Sequence, residues 1–157
     1  MEIRSFQESD RAGVVALWRA VFPDAPPRND PVLDIQRKLA HQPELFLVAL
    51  VGAAVVGTCM AGFDGHRGWV HLVAVAPEHR RRGVGAALMR RAEALLEAMG
   101  VPKLNLQVRG SAPEAVGFYQ RLGFEVEERI SMGKPLGASA GADVVQPVAV
   151  RAGKRDG

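Results

Sequence analysis

Cysteine and aromatic residues are scarce in this sequence. Only one of the 157 residues is a cysteine, Cys59, and phenylalanine, tryptophan and tyrosine together make up 6%. A single cysteine excludes an intrachain disulfide and a zinc site built from cysteines alone, and His41, His66, His71 and His79 lack metal-ligand spacing. Although the net charge is +3, there is no basic stripe with interleaved aromatics, so nucleic acid is not an expected partner. No metal is expected either.

The sequence also has no apparent export signal. Its N-terminus, Met1–Glu8, is too polar for a signal peptide. Residues Leu45–Phe63 form a charge-free run of 19 residues, which is the length of a membrane span. Glycines interrupt this run, and two buried strands joined by a tight turn at Gly52-Ala53 explain it better. We therefore expect a cytoplasmic protein that does not insert into a membrane.

The periodicities that are present predict an α/β protein. The predicted strands are Glu2–Gln7, Leu45–Val51, Ala54–Ala61, Trp69–Val75, Leu104–Val108 and Phe124–Ile130. The predicted helices are Ser9–Phe22 with Ser9 as the cap, one that starts at Asp30-Pro31 and ends before Pro43, Val84–Met99, and Pro113–Leu122. The order β-α-α-β-β-β-α-β-α-β predicts an α/β (α+β) fold with a mixed, mostly antiparallel sheet flanked by helices.

This pattern predicts one domain over residues 1–136, because 157 residues leave little room for two. Residues 137–157 are rich in glycine, alanine and polar residues and predict a flexible tail. Within the tail, Val144–Val150 could pair as an edge strand, limited by Pro147.

The segment after the predicted strand Trp69–Val75 has the features of a phosphate-binding turn. It contains Gly83 and Gly85 and opens an amphipathic helix. The first N–H groups of a helix have no internal partners, and the helix dipole adds positive charge there. Glycines let a phosphate approach the backbone, and the cluster Arg80–Arg82 adds charge. The segment matches neither a Walker loop nor a dinucleotide fingerprint.

Two motifs resemble those of a known family. Arg80-x-x-Gly83-x-Gly85 after a Val-Ala-Val-x-Pro strand resembles the acetyl-CoA motif of the GNAT (Gcn5-related N-acetyltransferase) superfamily. The stretch Ala115–Phe124 resembles the closing Ala-x-x-Phe-Tyr-x-x-x-Gly-Phe of that family. The resemblance covers about residues 1–135. Asn29–Lys38, together with Gly65–Gly68, resembles the YpeA-type branch of small bacterial acetyltransferases.

The resemblance implies acetyl-CoA as the cosubstrate and an amine as the acceptor, either a small molecule or a protein N-terminus. In the family, the pantetheine arm pairs with the strand before the turn, and the pyrophosphate sits on the turn. The cofactor-binding residues implied here are Val73, Ala74, Val75, Arg80, Arg81, Arg82, Gly83, Val84, Gly85, Ala86, Phe118 and Tyr119. The resemblance is also compatible with a homodimer.

For catalysis, the resemblance implies direct attack of an amine on the thioester. A bulge in the cofactor strand leaves an N–H that stabilises the oxyanion, by analogy the N–H of Val75. Tyr119 occupies the position of the family's general acid, and a phenol with an ordinary pKa near ~10 is protonated at neutral pH. The alternative role for Tyr119 is packing or hydrogen bonding near the CoA sulfur. Cys59 lies among apolar residues and is interpreted as a core residue.

The general base is the least defined part of the site. Many relatives carry a glutamate on the strand that corresponds to Trp69–Val75, and this strand contains no glutamate here. Other relatives carry a glutamate on the next strand, where Gln107 occupies its position in this sequence. Ala112 replaces a common cofactor-binding asparagine. The remaining base candidates are Asp64, His66, His71 and Glu78. His71 is favoured because its ordinary pKa is near ~6.5, and a water chain with no single base is the alternative.

Two functions of other classes stay open from the sequence. One is a non-catalytic acyl-CoA-binding or sensor module on the same fold, which the missing base favours and the retained Tyr119 opposes. The other is a basic regulator that uses Arg80–Arg82 on nucleic acid, which the lack of interleaved aromatics opposes.

Overall fold

Five strands form one sheet, in the order β1-β2-β3-β4-β5, in the computed structural model, which describes residues 1–137. The strands are β1 Glu2–Ser5, β2 Phe46–Val51, β3 Ala54–Phe63, β4 Gly68–Val75 and β5 Leu104–Asn105. The helices are α1 Arg11–Val21, α2 Pro31–Leu39, α3 Val84–Ala98 and α4 Pro113–Arg121. Neighbours β1 to β4 are antiparallel and β5 is parallel to β4. The predicted fold class is confirmed.

The tail assigned to residues 137–157 lies, from residue 138 onward, outside the described residues, and so does the candidate edge strand Val144–Val150. The flexible tail therefore stays a prediction.

The charge-free run at residues 45–63 is the hairpin β2–β3 and not a membrane helix. Gly52 forms its turn with a φ of 60°, a left-handed conformation that glycine adopts without steric cost. Within residues 1–137, no helix is both long enough and apolar enough to cross a bilayer.

The helices cover opposite faces of the sheet, because the side chains of a strand alternate between its two faces. α1 and α2 pack on one face through Val14, Trp18 and Ile35, which are buried with residues of β2 and β4. α3 packs on the other face through Leu88 and Leu96, which are buried against β2, β3 and β4.

The starts of α1 and α2 differ in how well the sequence predicted them. Asp30 caps α2 as predicted: its Oδ1 accepts hydrogen bonds from the N–H groups of Val32 and Leu33 at 3.0 and 3.1 Å. The predicted cap of α1 at Ser9 is wrong, because Ser9 lies in a 3₁₀ turn, Glu8–Asp10, that precedes the helix.

The carboxylate of Asp10 joins β1 to the start of α1. Its two oxygens accept hydrogen bonds from the guanidinium of Arg4 at 2.7 and 2.9 Å, and one also accepts from the N–H of Gln7 at 2.7 Å. The hydrogen bond from Arg4 is the main reason why the pKa of Asp10 lies below its ordinary value. A carboxylate with a lowered pKa stabilises the fold above its unfolded-state pKa, and this contribution is lost as the pH falls through the folded-state pKa.

We expect Asp10→Asn to lower the free energy of unfolding at pH 7 by about 1.5–3 kcal/mol, because it weakens hydrogen bonds to a charged group. The difference from wild type should shrink as the pH falls below about 4, the unfolded-state pKa of aspartate. Urea unfolding at several pH values measures both effects. A difference that stays constant down to pH 2 would contradict the assignment of this contribution to the ionised carboxylate.

The C-terminal part of the sheet is shorter than the sequence predicted. The expected strand Leu104–Val108 is reduced to the two residues of β5, and the expected strand Phe124–Ile130 is wrong, since residues 124–130 have no strand structure. Within that segment Val126 and Ile130 are exposed. Alternation suggested a strand, but a strand needs a backbone partner, and β5 ends too early to supply one. Two side-chain hydrogen bonds join residues 127–131 to residues 103–107, from Lys103 to Glu127 and from Gln107 to Ser131.

Candidate active site

The site is a cleft that opens where β4 and β5 separate. The two strands pair only at Gly68 with Leu104 and at Trp69 with Asn105, and they diverge beyond that point. The cleft is about 2560 Å³ and reaches from the α1–α2 connection to α4. Pockets for ordinary small molecules measure about 300–1,000 Å³. This cleft therefore has room for a long cosubstrate and an acceptor together.

A β-bulge interrupts β4 inside this cleft. Thr58 of β3 lies opposite Ala74 and Met60 lies opposite His71, so both residues between them on β4, Leu72 and Val73, lie opposite one residue of β3. Leu72 has a φ of 49°, which is uncommon for a residue with a side chain.

The bulge changes which way the backbone of β4 points. The N–H of Ala76 donates to the carbonyl of Val56 on β3 at 2.9 Å. Because N–H groups alternate along a strand, that of Val75 points away from β3, toward the gap beside β5. If the alternation continues into the bulge, the N–H of Val73 faces the same gap. The bulge lies at Leu72 and Val73, so of the N–H groups of Val73 and Val75, the latter predicted as the oxyanion donor, that of Val73 belongs to the bulge itself.

The turn before α3 has the geometry of an anion site. Arg81 and Gly83 both have positive φ, 58° and 81°, and such turns direct successive N–H groups to one side. The first hydrogen bond of α3 runs from the N–H of Ala87 to the carbonyl of Gly83 at 2.9 Å. The N–H groups of residues 84–86 therefore have no partner within the helix.

Gly85 has a packing role in addition to the phosphate contact that the motif suggested. A Cβ at this position would lie 3.1 Å from Cζ of Phe118 and 3.6 Å from Cγ2 of Val75. The missing side chain therefore lets α3 approach α4 and β4 closely. Gly83 supplies the positive φ of the turn.

The arginines of the motif lie in different surroundings. The Nε of Arg80 donates to the carbonyl of Val75 at 3.2 Å, which ties the turn to the end of β4. Arg80 and Arg81 line the cleft, whereas Arg82 does not. Ala74 does not line the cleft either; it is 2% exposed and packs toward α1. The predicted cofactor contacts of Ala74 and Arg82 therefore find no support in the cleft geometry.

Tyr119 lies on α4 and lines the same cleft. Its ring makes edge contacts with Phe118 and Phe124, with centroids 4.9 and 5.7 Å apart. Burial, with a smaller contribution from Cys59, raises the pKa of Tyr119 to about 12. The hydroxyl therefore keeps its proton throughout the neutral range. Cys59 itself is 0% exposed, and burial raises the pKa of its thiol to about 12, in agreement with a core role.

Of the four base candidates, only His71 lines the cleft. Its ring stacks on Trp69, with centroids 6.3 Å apart and planes 8° apart. The side chain of His71 is exposed, but nearby protein atoms partly desolvate its imidazole, and this desolvation, helped by the positive charge of Lys38, lowers the pKa of His71. The carboxylate of Asp64 lies outside the cleft and accepts hydrogen bonds from the N–H groups of His66 and Arg67 at 2.8 and 2.7 Å.

Sequence reasoning missed part of the cleft wall. Trp69 is fixed by a hydrogen bond from its Nε1 to Oδ2 of Asp64 at 3.1 Å, and residues 104–109 form the opposite wall. No motif marks these residues, because they reach the cleft only through the separation of β4 from β5. Across residues 1–137, no three His, Cys, Asp or Glu side chains come together as metal ligands would.

The sequence profile of the Acetyltransferase (GNAT) family matches residues 12–124, which include the bulge, the turn and Tyr119. The chain belongs to this family. An acetyltransferase of Yersinia enterocolitica is 48% identical to it over 136 residues, which span 87% of this chain and 96% of the relative. An acetyltransferase of Pectobacterium atrosepticum is 44% identical over 136 residues, with the same coverage of 87% and 96%.

Solved structures of GNAT proteins share the fold. Ard1 from Thermoplasma volcanium has a TM-score of 0.70 at 29% identity, covering 80% of this chain and 83% of its own. The aminoglycoside N-acetyltransferase AAC(6')-Iy, solved with a CoA-containing bisubstrate analogue, has a TM-score of 0.73 at 17% identity, covering 87% and 98%. By family this GNAT protein is an N-acetyltransferase. The finer resemblance to the YpeA-type branch stays a prediction.

Proposed function

We propose that this GNAT protein transfers the acetyl group of acetyl-CoA directly to a primary amine in the cleft between β4 and β5. The observation that carries the proposal is that one cleft is lined by the bulged end of β4, the N-terminus of α3 and a protonated tyrosine. Bound acetyl-CoA supplies a thioester whose carbonyl carbon an amine attacks and whose sulfur leaves as a thiolate.

The residues present fit an extended cosubstrate with a phosphate group near its middle. The free N–H groups of residues 84–86 would hold the pyrophosphate at the start of α3, with charge added by Arg81. The N–H of Val75 lies next to this turn and would pair with the pantetheine arm. The N–H of Val73 lies further along β4, at the bulge, and would stabilise the negative charge that develops on the thioester oxygen.

Tyr119 would act where the sulfur leaves. As the C–N bond forms and the C–S bond breaks, its hydroxyl would donate a hydrogen bond or a proton to the thiolate. Free thiols have a pKa near ~8.5, well below that of Tyr119, which is raised to about 12. Complete proton transfer is therefore uphill, and the hydroxyl acts mainly as a hydrogen-bond donor.

His71 is the side chain best placed to accept the proton of the attacking amine. Because its pKa lies below the ordinary value, the imidazole is neutral and able to accept a proton at pH 7 and in mild acid. With an acceptor whose own amine is unprotonated in this range, we expect kcat/KM of the wild type to fall only below about pH 6.5. In His71→Gln this acid limb should be absent. An identical limb in the variant would assign proton removal to a water chain.

The wall on the α1–α2 side favours an acceptor with a flat, uncharged part. The stacked pair of Trp69 and His71 faces this side, together with Met60 and the proline-rich segment 22–27. The two carboxylates at this wall are already engaged: Asp30 caps α2, and Asp34 binds Arg37 at 3.0 Å. Because the stacked rings are uncharged and the two carboxylates that line the cleft here already have partners within the chain, an aromatic or apolar amine is the proposed acceptor class.

An assay of acetyl-CoA-dependent thiol release over a panel of amines tests the proposal. The panel pairs aryl-alkylamines and peptides with an apolar N-terminal residue against polyamines and aminoglycosides. We expect turnover with the first group and at least about tenfold lower kcat/KM for the second, since one lost charge-assisted contact corresponds to that factor. Binding of acetyl-CoA without turnover of any amine would favour the acyl-CoA sensor instead.

A further inference from the structure

Two hydrogen bonds, one buried and one partly buried, connect α1 to the bulge of β4. The Nε1 of Trp18 donates to Oγ1 of Thr58 at 2.8 Å, and this hydroxyl donates to the carbonyl of Leu72 at 2.9 Å. Trp18 is 2% exposed and Thr58 is 0% exposed. The first bond joins α1 to β3, and the second joins β3 to β4, on the side of the sheet that α1 covers.

The direction of these bonds follows from chemistry. An indole N–H only donates, and a hydroxyl has a single proton but two acceptor positions. Once the oxygen of Thr58 accepts from Trp18, its proton is left for another acceptor. The carbonyl of Leu72 is that acceptor. Trp18 thereby fixes the hydroxyl rotor of Thr58 in the orientation that serves the bulge.

The bulge needs such a partner. Leu72 and Val73 share one opposite residue on β3, so the carbonyl of Leu72 lies where the regular ladder is interrupted. Leu72 also has a φ of 49° without being glycine. Conformations of this kind persist only when the surroundings hold them.

We propose that Trp18 and Thr58 are positioning residues for the acetyl-transfer site. By holding the carbonyl of Leu72, the Thr58 hydroxyl keeps the bulge in the form that turns the N–H groups of Val73 and Val75 into the cleft. The part of this inference that concerns acetyl-CoA rests on the proposed function. The part that concerns the shape of β4 does not.

Substitutions at Thr58 separate this role from core packing. Thr58→Val keeps the shape and removes the hydroxyl, whereas Thr58→Ser keeps the hydroxyl and removes a methyl group. Ile35→Val is the matched control, because Ile35 is buried on the same side of the sheet and has no part in the two hydrogen bonds. All three variants are expected to fold.

The first measurement is amide hydrogen exchange in the protein without acetyl-CoA. The N–H of Ala76 bonds to the carbonyl of Val56 just beyond the bulge, so its protection reports whether β4 keeps its register. We expect Thr58→Val to lose protection about tenfold or more at Ala76 relative to the β2–β3 ladder, as a buried unsatisfied carbonyl would cause. In Thr58→Ser and Ile35→Val, any loss of protection should be the same at Ala76 as in the β2–β3 ladder.

The second measurement is the Kd for acetyl-CoA together with steady-state kinetics. Thr58→Val should weaken acetyl-CoA binding and lower kcat, each about tenfold, with the KM for the amine nearly unchanged, and Thr58→Ser should restore both. Unchanged protection at Ala76 in Thr58→Val would overturn the role of the hydroxyl. If Thr58→Val loses protection at Ala76 but keeps the wild-type Kd and kcat, the role of Thr58 in positioning the site would be overturned. Failure of the proposed function would appear differently, as wild-type protein that does not bind acetyl-CoA, and the exchange comparison would still decide whether Thr58 holds the bulge.

Discussion

Ala86→Asp should remove acetyl-CoA binding without weakening the fold. Ala86 is the third residue of α3 after its cap Gly83, it lines the cleft, and no acidic residue occupies the first turn of this helix. An added carboxylate would face the site proposed for the pyrophosphate. Two like charges about 5–6 Å apart near a protein surface repel by about 3 kcal/mol, which corresponds to roughly a hundredfold loss of affinity.

The same substitution should be neutral or favourable in the protein alone. An acid in the first turn of a helix interacts with the dipole by about 0.3–1 kcal/mol. At an acetyl-CoA concentration of about 100 times Kd, wild-type protein should gain about 2.7 kcal/mol of stability, and the variant only a few tenths. Thermal unfolding with and without acetyl-CoA measures both quantities.

Ala86→Asn is the matched control for charge, because it has the same shape and no negative charge. It should keep most of the stabilisation by acetyl-CoA. Equal stabilisation of wild type and Ala86→Asp would place the phosphates elsewhere. Equal losses of this stabilisation in Ala86→Asp and Ala86→Asn would show that the site excludes a larger side chain whether or not it is charged.

Tyr119→Phe should lower kcat by about 10–100-fold and leave the Kd for acetyl-CoA nearly unchanged. Loss of a positioned general acid costs about 10²–10⁴ in rate. The lower range applies here because the pKa of Tyr119 is raised to about 12, which makes it a poor proton donor to a thiolate but a good hydrogen-bond donor. The ring remains, so its edge contacts with Phe118 and Phe124 persist.

Two comparisons make this result specific. The effect should shrink with acetyl donors whose leaving thiol is more acidic, since these need less stabilisation of the thiolate. It should also stay constant from about pH 6 to pH 9, because the hydroxyl is protonated throughout. A variant with wild-type kcat and a weakened Kd would make Tyr119 a binding residue, with water as the acid.

Local signals were strong enough to predict much of this protein from its sequence. Asp30 before Pro31 predicted the start of α2, because a carboxylate that caps free N–H groups acts within three residues. The hairpin at Gly52 and the phosphate turn at Gly83 followed in the same way. The place of Tyr119 was implied by the resemblance of Ala115–Phe124 to the closing motif of the family.

Where the sequence prediction failed, a partner distant in the chain made the difference. Phe124–Ile130 alternates like a strand, but strand pairing needs a free edge, and β5 ends at Asn105. The bulge at Leu72 is invisible in the sequence, since it exists only relative to the register of β3. For the same reason the sequence could not distinguish the N–H of Val75, which it predicted for the oxyanion, from that of Val73, which we propose.

The sequence by itself therefore determined the family, through the resemblance of its two motifs, and the element order through α4 with the glycine turn before α3. Element order and turn depend on periodicity, capping and glycine at short range. Only the tertiary structure decided which N–H groups face the cleft, that His71 alone of the base candidates lies in it, and that Trp18 and Thr58 reach the bulge. These features arise from the register between strands and from packing across the sheet, and both join residues that are distant in sequence.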